Sequence, residues 1–341
     1  MNCRNRPSRP LRRSSRQRGV AVIIAMLVFA LAATLVVAMS SEFTLFMKRS
    51  ANSIIGAQNQ AYLRGGEDLA KLVLIQDAEE DQLEGGEARD DLTELWAQEI
   101  PPYTLDDGGL LLGSLEDLSG KINLNILNAE PPQGQQFTSA QEQFLRLLQS
   151  FEEPRVGEQD ARLILEALQD WLDRDSTPRD FGAEDDFYFD AEPSYRAGNG
   201  LMMSVSELRM VAYMTPELFL AVEPYVTVWS SGAINIQTAP ARVLRTINAR
   251  GNLEPLSEGE GDALLELRAD TGFESVEAFL QTPMLAGLEI APELRQRLVQ
   301  NSDYFLYRGQ VEVADRTSTM YSVLRREAGQ VKTLVRASGS L

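Results

Sequence analysis

The sequence predicts an α+β fold: a long N-terminal helix, half of it packed against a globular domain, and an antiparallel sheet whose strands are separated by a large all-α insert. Three observations carry this. An apolar run from Val20 to Met39 continues as a helical pattern of apolar residues to about Glu80. The stretch from Tyr304 to the C-terminus alternates polar and apolar residues and is broken by turn residues. Between the strand regions lie roughly 180 residues with repeated helix-start signals.

Val20–Met39 contains no charge and only Thr34 as a polar residue. At ~1.5 Å per residue it spans ~30 Å, the hydrocarbon thickness of a bilayer. Arg4, Arg6, Arg9, Arg12, Arg13, Arg16 and Arg18 precede it, so residues 1–19 are expected in the cytoplasm and Glu42 onward on the far side. A cleaved secretory signal has an apolar region of ~7–15 residues ending on a small-x-small site. Val36-Val37-Ala38 offers such a site, but the longer run predicts a retained anchor over residues 20–41. Beyond it, Phe43, Phe46, Ile54, Ala57, Ala61, Leu69, Leu72 and Ile75 recur at steps of three and four, mostly on one stripe. Gly65-Gly66 interrupts the pattern and is expected to bend or melt the helix locally. Residues 42–105 therefore read as the second part of the helix and a connection.

Composition narrows the chemistry. The first 19 residues hold seven of the 32 Lys and Arg and none of the 50 acids, so 25 basic residues face 50 acidic ones in the rest. So acidic a body repels phosphate backbones and argues against nucleic acid as the main partner; it suits divalent cations or a solvated surface. Cys3 is the only cysteine and there is no histidine. Once the leader is removed, Cys–His and Ser–His–Asp catalysis and His-ligated zinc are excluded.

A basic leader ending in Gly19, an apolar helix starting at once and an amphipathic continuation resemble the N-terminus of type IV pilins and pseudopilins. In that family a prepilin peptidase cuts after the glycine and methylates the new amine. The resemblance implies a cut between Gly19 and Val20, with 1–19 as the cleaved leader, and a pilin-like sheet packed on the long helix. Ile24 stands at the fifth mature position, where the family carries glutamate.

In the body, "DDGGLLLGSLEDLSGKINLN" (106–125) reads as a strand leading into a turn. Three strands, about Tyr304–Ala314, Thr317–Arg326 and Val331–Ala337, form a meander with turns near Asp315-Arg316 and Ala328-Gly329. The sheet is thus assigned to 106–120 and 301–341, and the helical insert to 121–300. Capping boxes at Thr138/Gln141, Ser204/Glu207 and Ser257/Glu260 mark helix starts, as does Thr215-Pro216. Asp160–Leu172 puts Leu163, Ile164, Ala167, Leu168 and Trp171 on one core-facing side. "SGKINLNILNAE" (119–130) echoes "SGAINIQTAPARVL" (231–244), which suggests two modules, about 121–230 and 231–300. The second resembles a helix-hairpin-helix, but its hairpin segment "LSEGEGDAL" carries Glu258, Glu260 and Asp262. Those acids repel phosphate, so packing or protein contact is expected of it.

The stretch "DWLDRDSTPRDFGAEDDFYFD" (170–190) is the most chemically loaded. Asp173 and Asp175 have the i, i+2 spacing by which a calcium loop turns successive carboxylates inward, and Thr177, next to Pro178, offers a backbone carbonyl. Glu184, Asp185 and Asp186 follow Gly182 and either close the site or build an adjacent one, for one or two Ca²⁺ ions. The glycine and glutamate of an EF-hand are missing. Trp171, Phe181, Phe187, Tyr188 and Phe189 interleave the acids and favour partial burial, where unpaired carboxylates are costly. Only Arg174 and Arg179 offer countercharge, so a hard cation is favoured over a merely solvated loop, and oxygen-only ligands select calcium over zinc. A carboxylate-pair hydrolase, with acids ~5–9.5 Å apart, is the third reading; no aromatic sugar cleft accompanies it.

Over essentially the whole chain these features resemble the K family of type II secretion minor pseudopilins. The carriers are the Gly-terminated leader, a non-acidic fifth position, a split pilin sheet, Asp170–Asp175 with Gly182–Asp185, and "INxxTAPxxVL" at Ile234–Leu244. The resemblance implies a non-catalytic, calcium-binding subunit at the tip of the periplasmic pseudopilus, bound to other minor pseudopilins and nucleating or capping assembly for protein export. It also implies the prepilin peptidase and the inner-membrane secretion platform as partners, and a single-pass inner-membrane protein with a periplasmic C-terminal domain. A body of ~300 residues has a radius of gyration of ~19 Å, bulky for stacking along a thin fibre and easiest to place where no neighbour lies above. A membrane-anchored, calcium-dependent adhesion module is the alternative class.

Overall fold

The computed structural model describes residues 18–85, 88–106, 108–313 and 316–339. Cys3, the leader arginines before Arg18, Asp107, Ala314 and Asp315 lie outside the described residues. Helix α1 spans Arg18–Glu84, and the chain divides after Gln58 into two compact units. In the first, the side chains from Val20 to Met39 are exposed and, Thr34 apart, apolar. The stretch Gly19–Leu83 is long and apolar enough to cross a membrane by length and composition.

The second unit begins at Asn59. Here α1 buries Asn59, Leu63, Gly66, Glu67, Ala70 and Leu74, spaced at the pitch of one helix face. This is not the stripe read from the sequence: Ala61, Leu69 and Leu72 remain exposed. The buried face includes two polar residues that polar groups of the strands engage, Glu67 through both carboxylate oxygens and Asn59 through its amide nitrogen alone, its Oδ1 having no partner. Glu67 accepts from Ser322 Oγ at 2.7 Å, Thr333 Oγ1 at 2.5 Å and Arg336 Nε at 2.7 Å, and pairs with Lys71 at 2.6 Å. Burial pushes its pKa up, but those partners together outweigh it and hold the carboxyl well below the usual range. Asn59 Nδ2 donates to Ser318 Oγ at 2.9 Å. The helix also runs unbroken through Gly65-Gly66, so the local melting expected there does not occur. Gly66 instead admits Tyr307: a Cβ at Gly66 or at Gly309 would overlap the tyrosine hydroxyl.

After α1, a 3₁₀ turn at Leu95–Ala97 leads to β1 (Tyr103–Thr104) and β2 (Leu110–Asp117). The chain then leaves the sheet through β3 (Ile122–Asn123), α2 (Ser139–Gln149), α3 (Glu158–Leu172), α4 (Asp185–Phe189), α5 (Pro216–Val222) and β4 (Val226–Thr227). It continues through β5 (Ile234–Asn235), α6 (Ala241–Leu244), α7 (Glu258–Thr271), α8 (Val276–Leu280), α9 (Pro292–Arg297) and β6 (Leu298–Val299). Strands β7 (Tyr304–Val313), β8 (Arg316–Glu327) and β9 (Gln330–Ala337) complete the chain. The main sheet is antiparallel throughout, in the order β1-β2-β7-β8-β9. Alternate residues of β7, Phe305, Tyr307, Gly309, Val311 and Val313, point inward and are buried, the period-two pattern of a half-buried strand.

Register defines how the insert is attached. Leu110 faces Glu312 and Asp117 faces Phe305, so β2 and β7 are direct neighbours, and the Leu118 N–H donates to the Tyr304 carbonyl at 2.9 Å. Inside the insert, the capping boxes at Thr138 and Ser257 open α2 and α7. The box at Ser204 opens a 3₁₀ turn, Val205–Met210, rather than an α-helix, and "LSEGEGDAL" forms the cap and first turns of α7 rather than a hairpin. The sequence echo is a repeated structural unit. Ile122-Asn123 and Ile234-Asn235 are each a two-residue strand in a parallel pair, with Val226-Thr227 and Leu298-Val299 respectively. Each asparagine side-chain oxygen accepts from the N–H two residues on, Asn125 at 2.8 Å and Gln237 at 2.9 Å, the turn that asparagine favours.

Candidate metal centre

The acidic loop hangs from the end of α3. That helix buries Ile164, Ala167, Leu168 and Trp171, close to the expected face, and carries its last turn, Gln169–Leu172, into the core. Asp173 ends the helix in an extended conformation. The next residues cannot continue it: Pro178 disfavours helix in the residue before it, and Asp175 Oδ1 accepts the Thr177 N–H at 2.8 Å to close a turn. Arg179 brings the chain back. Its N–H donates to Asp170 Oδ2 at 3.1 Å, and its guanidinium reaches Asp170 Oδ1 at 2.6 Å and Asp173 Oδ2 at 2.5 Å. Gly182 then passes so close to Asp170 that a Cβ would overlap the carboxylate. Glu184 starts α4, its carbonyl accepting from Phe187 N at 2.9 Å.

This path brings together Asp173, Asp175 and Glu184, with one oxygen of each within 4.8 Å of the others. Glu184 is only 5% exposed, and neither of its side-chain oxygens has a hydrogen-bond partner; nor does Asp173 Oδ1. Burial, and then repulsion from Asp170, Asp173, Asp175 and Asp185, pushes Glu184 up to about 7. Asp170 is fully buried, and burial raises its pKa against the pull of Arg179.

The remaining expected residues sit beside this trio rather than in it. Thr177 is exposed and engaged through its N–H. Asp185 Oδ1 accepts from Ala197 N at 3.0 Å. Asp186 is exposed, and with Glu184 and Asp185 it lines a cavity of about 320 Å³. Among the aromatics, Trp171 and Tyr188 are buried, edge to face with centroids 5.4 Å apart, while Phe181, Phe187 and Phe189 stay about half exposed. One contributor, Asn199, and one pairing, Asp170 with Arg179, were missed by sequence reasoning. Asp170 and Arg179 lay in the quoted stretch, but nothing in their spacing showed that they pair. Asn199 comes from a later loop at positive φ and donates from Nδ2 to the Asp175 carbonyl at 3.4 Å, leaving its own Oδ1 without a partner.

The donor set is hard oxygen throughout. Of Asp170, Asp173, Asp175 and Glu184, only Asp170 and Asp173 pair with the Arg179 guanidinium, whose other Nη lies 3.8 Å from Glu130. Orphaned, buried carboxylate oxygens are costly, and a divalent cation of calcium's preferences would satisfy them with six to eight oxygens. The residues present fit such an ion.

The sequence model of the type II secretion system protein K family matches this chain in two parts, its first domain over residues 120–231 and a second part over 234–300. The type II secretion system protein K of Pseudomonas aeruginosa is 30% identical over 330 residues, spanning 95% of this chain and 93% of that protein. The chain belongs to the type II secretion system protein K family. The protein of the same name from Klebsiella pneumoniae is 30% identical over 324 residues, with 92% and 93% covered. In fold, this K-family chain matches a chain from the crystal structure of the GspK-GspI-GspJ complex of the enterotoxigenic Escherichia coli type 2 secretion system. The TM-score is 0.71 at 24% identity, over 86% of this chain and 100% of that one. The acidic loop therefore lies within the first of the two K-family regions.

Proposed function

We propose that this K-family protein is a non-catalytic minor pseudopilin at the tip of the type II secretion pseudopilus, where it nucleates or caps assembly with other minor pseudopilins. The observation that carries the reading is the insert. It adds a whole helical domain to a small helix-and-sheet body, and bulk of that kind is easiest to place where no subunit stacks above. The solved relative in complex with GspI and GspJ supports other minor pseudopilins as partners. The apolar first half of α1 serves as the single inner-membrane anchor, with the C-terminal domain in the periplasm. Asp173, Asp175 and Glu184 hold calcium, with Thr177 supplying a carbonyl and Asp185 and Asp186 completing this ion or a second one.

Processing by the prepilin peptidase would cut between Gly19 and Val20 and methylate Val20. Mass spectrometry of the mature N-terminus tests the assignment: methylated Val20 is expected, and an intact leader or a cut near Ala38 would overturn it. Ile24 fits the same reading. The fifth-position glutamate of pilins attracts the terminal amine of a neighbouring subunit, and a tip subunit has no neighbour above to attract. Ile24→Glu should alter incorporation into the pseudopilus or secretion; unchanged behaviour in both removes this support.

A further inference from the structure

A second set of carboxylates lies in the connection between α1 and the sheet. Asp77 comes from α1, Asp90 and Glu94 from the connection, and one oxygen of each lies within 4.8 Å of the others. Arg326 of β8 faces them. One Nη donates to Asp77 Oδ2 at 2.8 Å and the other to both oxygens of Asp90, while the guanidinium lies 5.1 Å from the Phe305 ring centre. Asp90 and Arg326 are buried, Asp77 and Glu94 partly so. Glu94 Oε2 accepts from Trp96 Nε1 at 2.6 Å and from Asp91 N at 3.2 Å. Around them, Ser302 donates its N–H to Asp90 and its hydroxyl to buried Asp117, both at 2.6 Å, and Arg89 pairs with Asp91 at 3.0 Å.

One guanidinium thus pairs with two of the three carboxylates and leaves Glu94 without a cation, and full ionisation would leave two uncompensated negative charges at a largely buried joint. Like charges this close do not all ionise at their ordinary pKa. Burial raises Asp90 against the pull of Arg326, and burial together with repulsion from Asp77 and Asp90 pushes Glu94 up to about 8. The joint matters to the fold, because Asp90 N donates to the Gln300 carbonyl at 2.9 Å and the Asp90 carbonyl accepts from Asn235 Nδ2 at 3.0 Å. One short segment therefore ties α1, the sheet and the second insert module together.

We propose that this cluster holds one proton at neutral pH, making the segment a proton-linked latch that loosens as the medium turns alkaline. The folded state keeps the proton where the unfolded chain has already released it. Stability from this group is therefore fully present below the ordinary carboxylate range and is lost as the pH rises from there through about 8.

Amide hydrogen exchange of the full chain in detergent tests the latch, with calcium saturating so that the acidic loop does not titrate. From about pH 6 to about pH 9, the amides of Asp90–Trp96 should lose protection by up to ~10-fold per pH unit beyond intrinsic base catalysis. E94Q should remove that excess. The ¹³C shift of the Glu94 carboxyl in the unmutated protein reads the same proton without a variant, with a midpoint near pH 8 expected. Identical pH dependence in E94Q, or a Glu94 midpoint in the ordinary carboxylate range, overturns the proposal. So does alkaline protection that depends on added magnesium in the unmutated protein but not in E94Q, which would make the cluster a cation site.

Discussion

Two clusters in this molecule look alike by inventory and differ in what they leave unfinished. Asp173, Asp175 and Glu184, like Asp77, Asp90 and Glu94, each bring three carboxylate oxygens within 4.8 Å of one another. At the second, Arg326 reaches two of the acids and Trp96 the third. At the first, one Nη of Arg179 takes an oxygen each of Asp170 and Asp173 and the other lies 3.8 Å from Glu130, while both oxygens of Glu184 and one of Asp173 are left without partners. The number of acids does not distinguish a metal site from a structural ion-pair network. Unsatisfied buried oxygens do.

Arg326→Ala strands Asp77 and Asp90 without countercharge and should destabilise the folded protein by about 3–5 kcal/mol, equally with calcium and with chelator, by thermal or denaturant melts. A calcium-dependent loss would show that the two clusters are coupled. Next comes calcium itself. EGTA should lower the melting temperature by the stabilisation the ion supplies, about 2.7 kcal/mol at one hundred times its dissociation constant. Asp173→Ala should abolish that response, whereas Glu94→Gln should keep it. No shift with EGTA, together with no bound metal by elemental analysis, would remove the ion from the first cluster. The smallest effect sharpens the ligand set. Thr177→Ala removes an exposed side chain but no backbone carbonyl, so stability should change by less than ~0.5 kcal/mol and calcium affinity, by titration calorimetry, should not move. A large loss of affinity would instead assign the hydroxyl as ligand.

What could be read in advance follows the range of the physics. The three C-terminal strands end within a residue or so of their expected bounds because period-two alternation and turn chemistry are local. Capping boxes placed α2 and α7 for the same reason. The face of α1 was misread because it is decided by β8 and β9, more than two hundred residues away: a helix stripe containing Glu67 looks solvent-facing until Ser322, Thr333 and Arg336 are set against it. At the candidate metal centre, Asp173, Asp175 and Glu184 were legible as closely spaced acids within one loop. Asn199 was not, because a turn 24 residues beyond Asp175 carries no spacing signal. The second cluster was invisible as well, since its residues come from a helix, a connection and a strand that only the tertiary fold brings together.

Asp117 faces Phe305, and the next residues remain bonded through Leu118 and Tyr304. In effect β2 and β7 are the two arms of a hairpin whose tip is an entire domain. A two-to-five-residue turn would close the same arms, and closing the long excursion costs only ~3 kcal/mol more by chain entropy. Such a junction is a grafting point: a domain can be gained, exchanged or lost there while every strand keeps its partner. The helix-and-sheet scaffold and its cargo can then diverge at separate rates, the first constrained by its packing and the second by whatever the domain must meet.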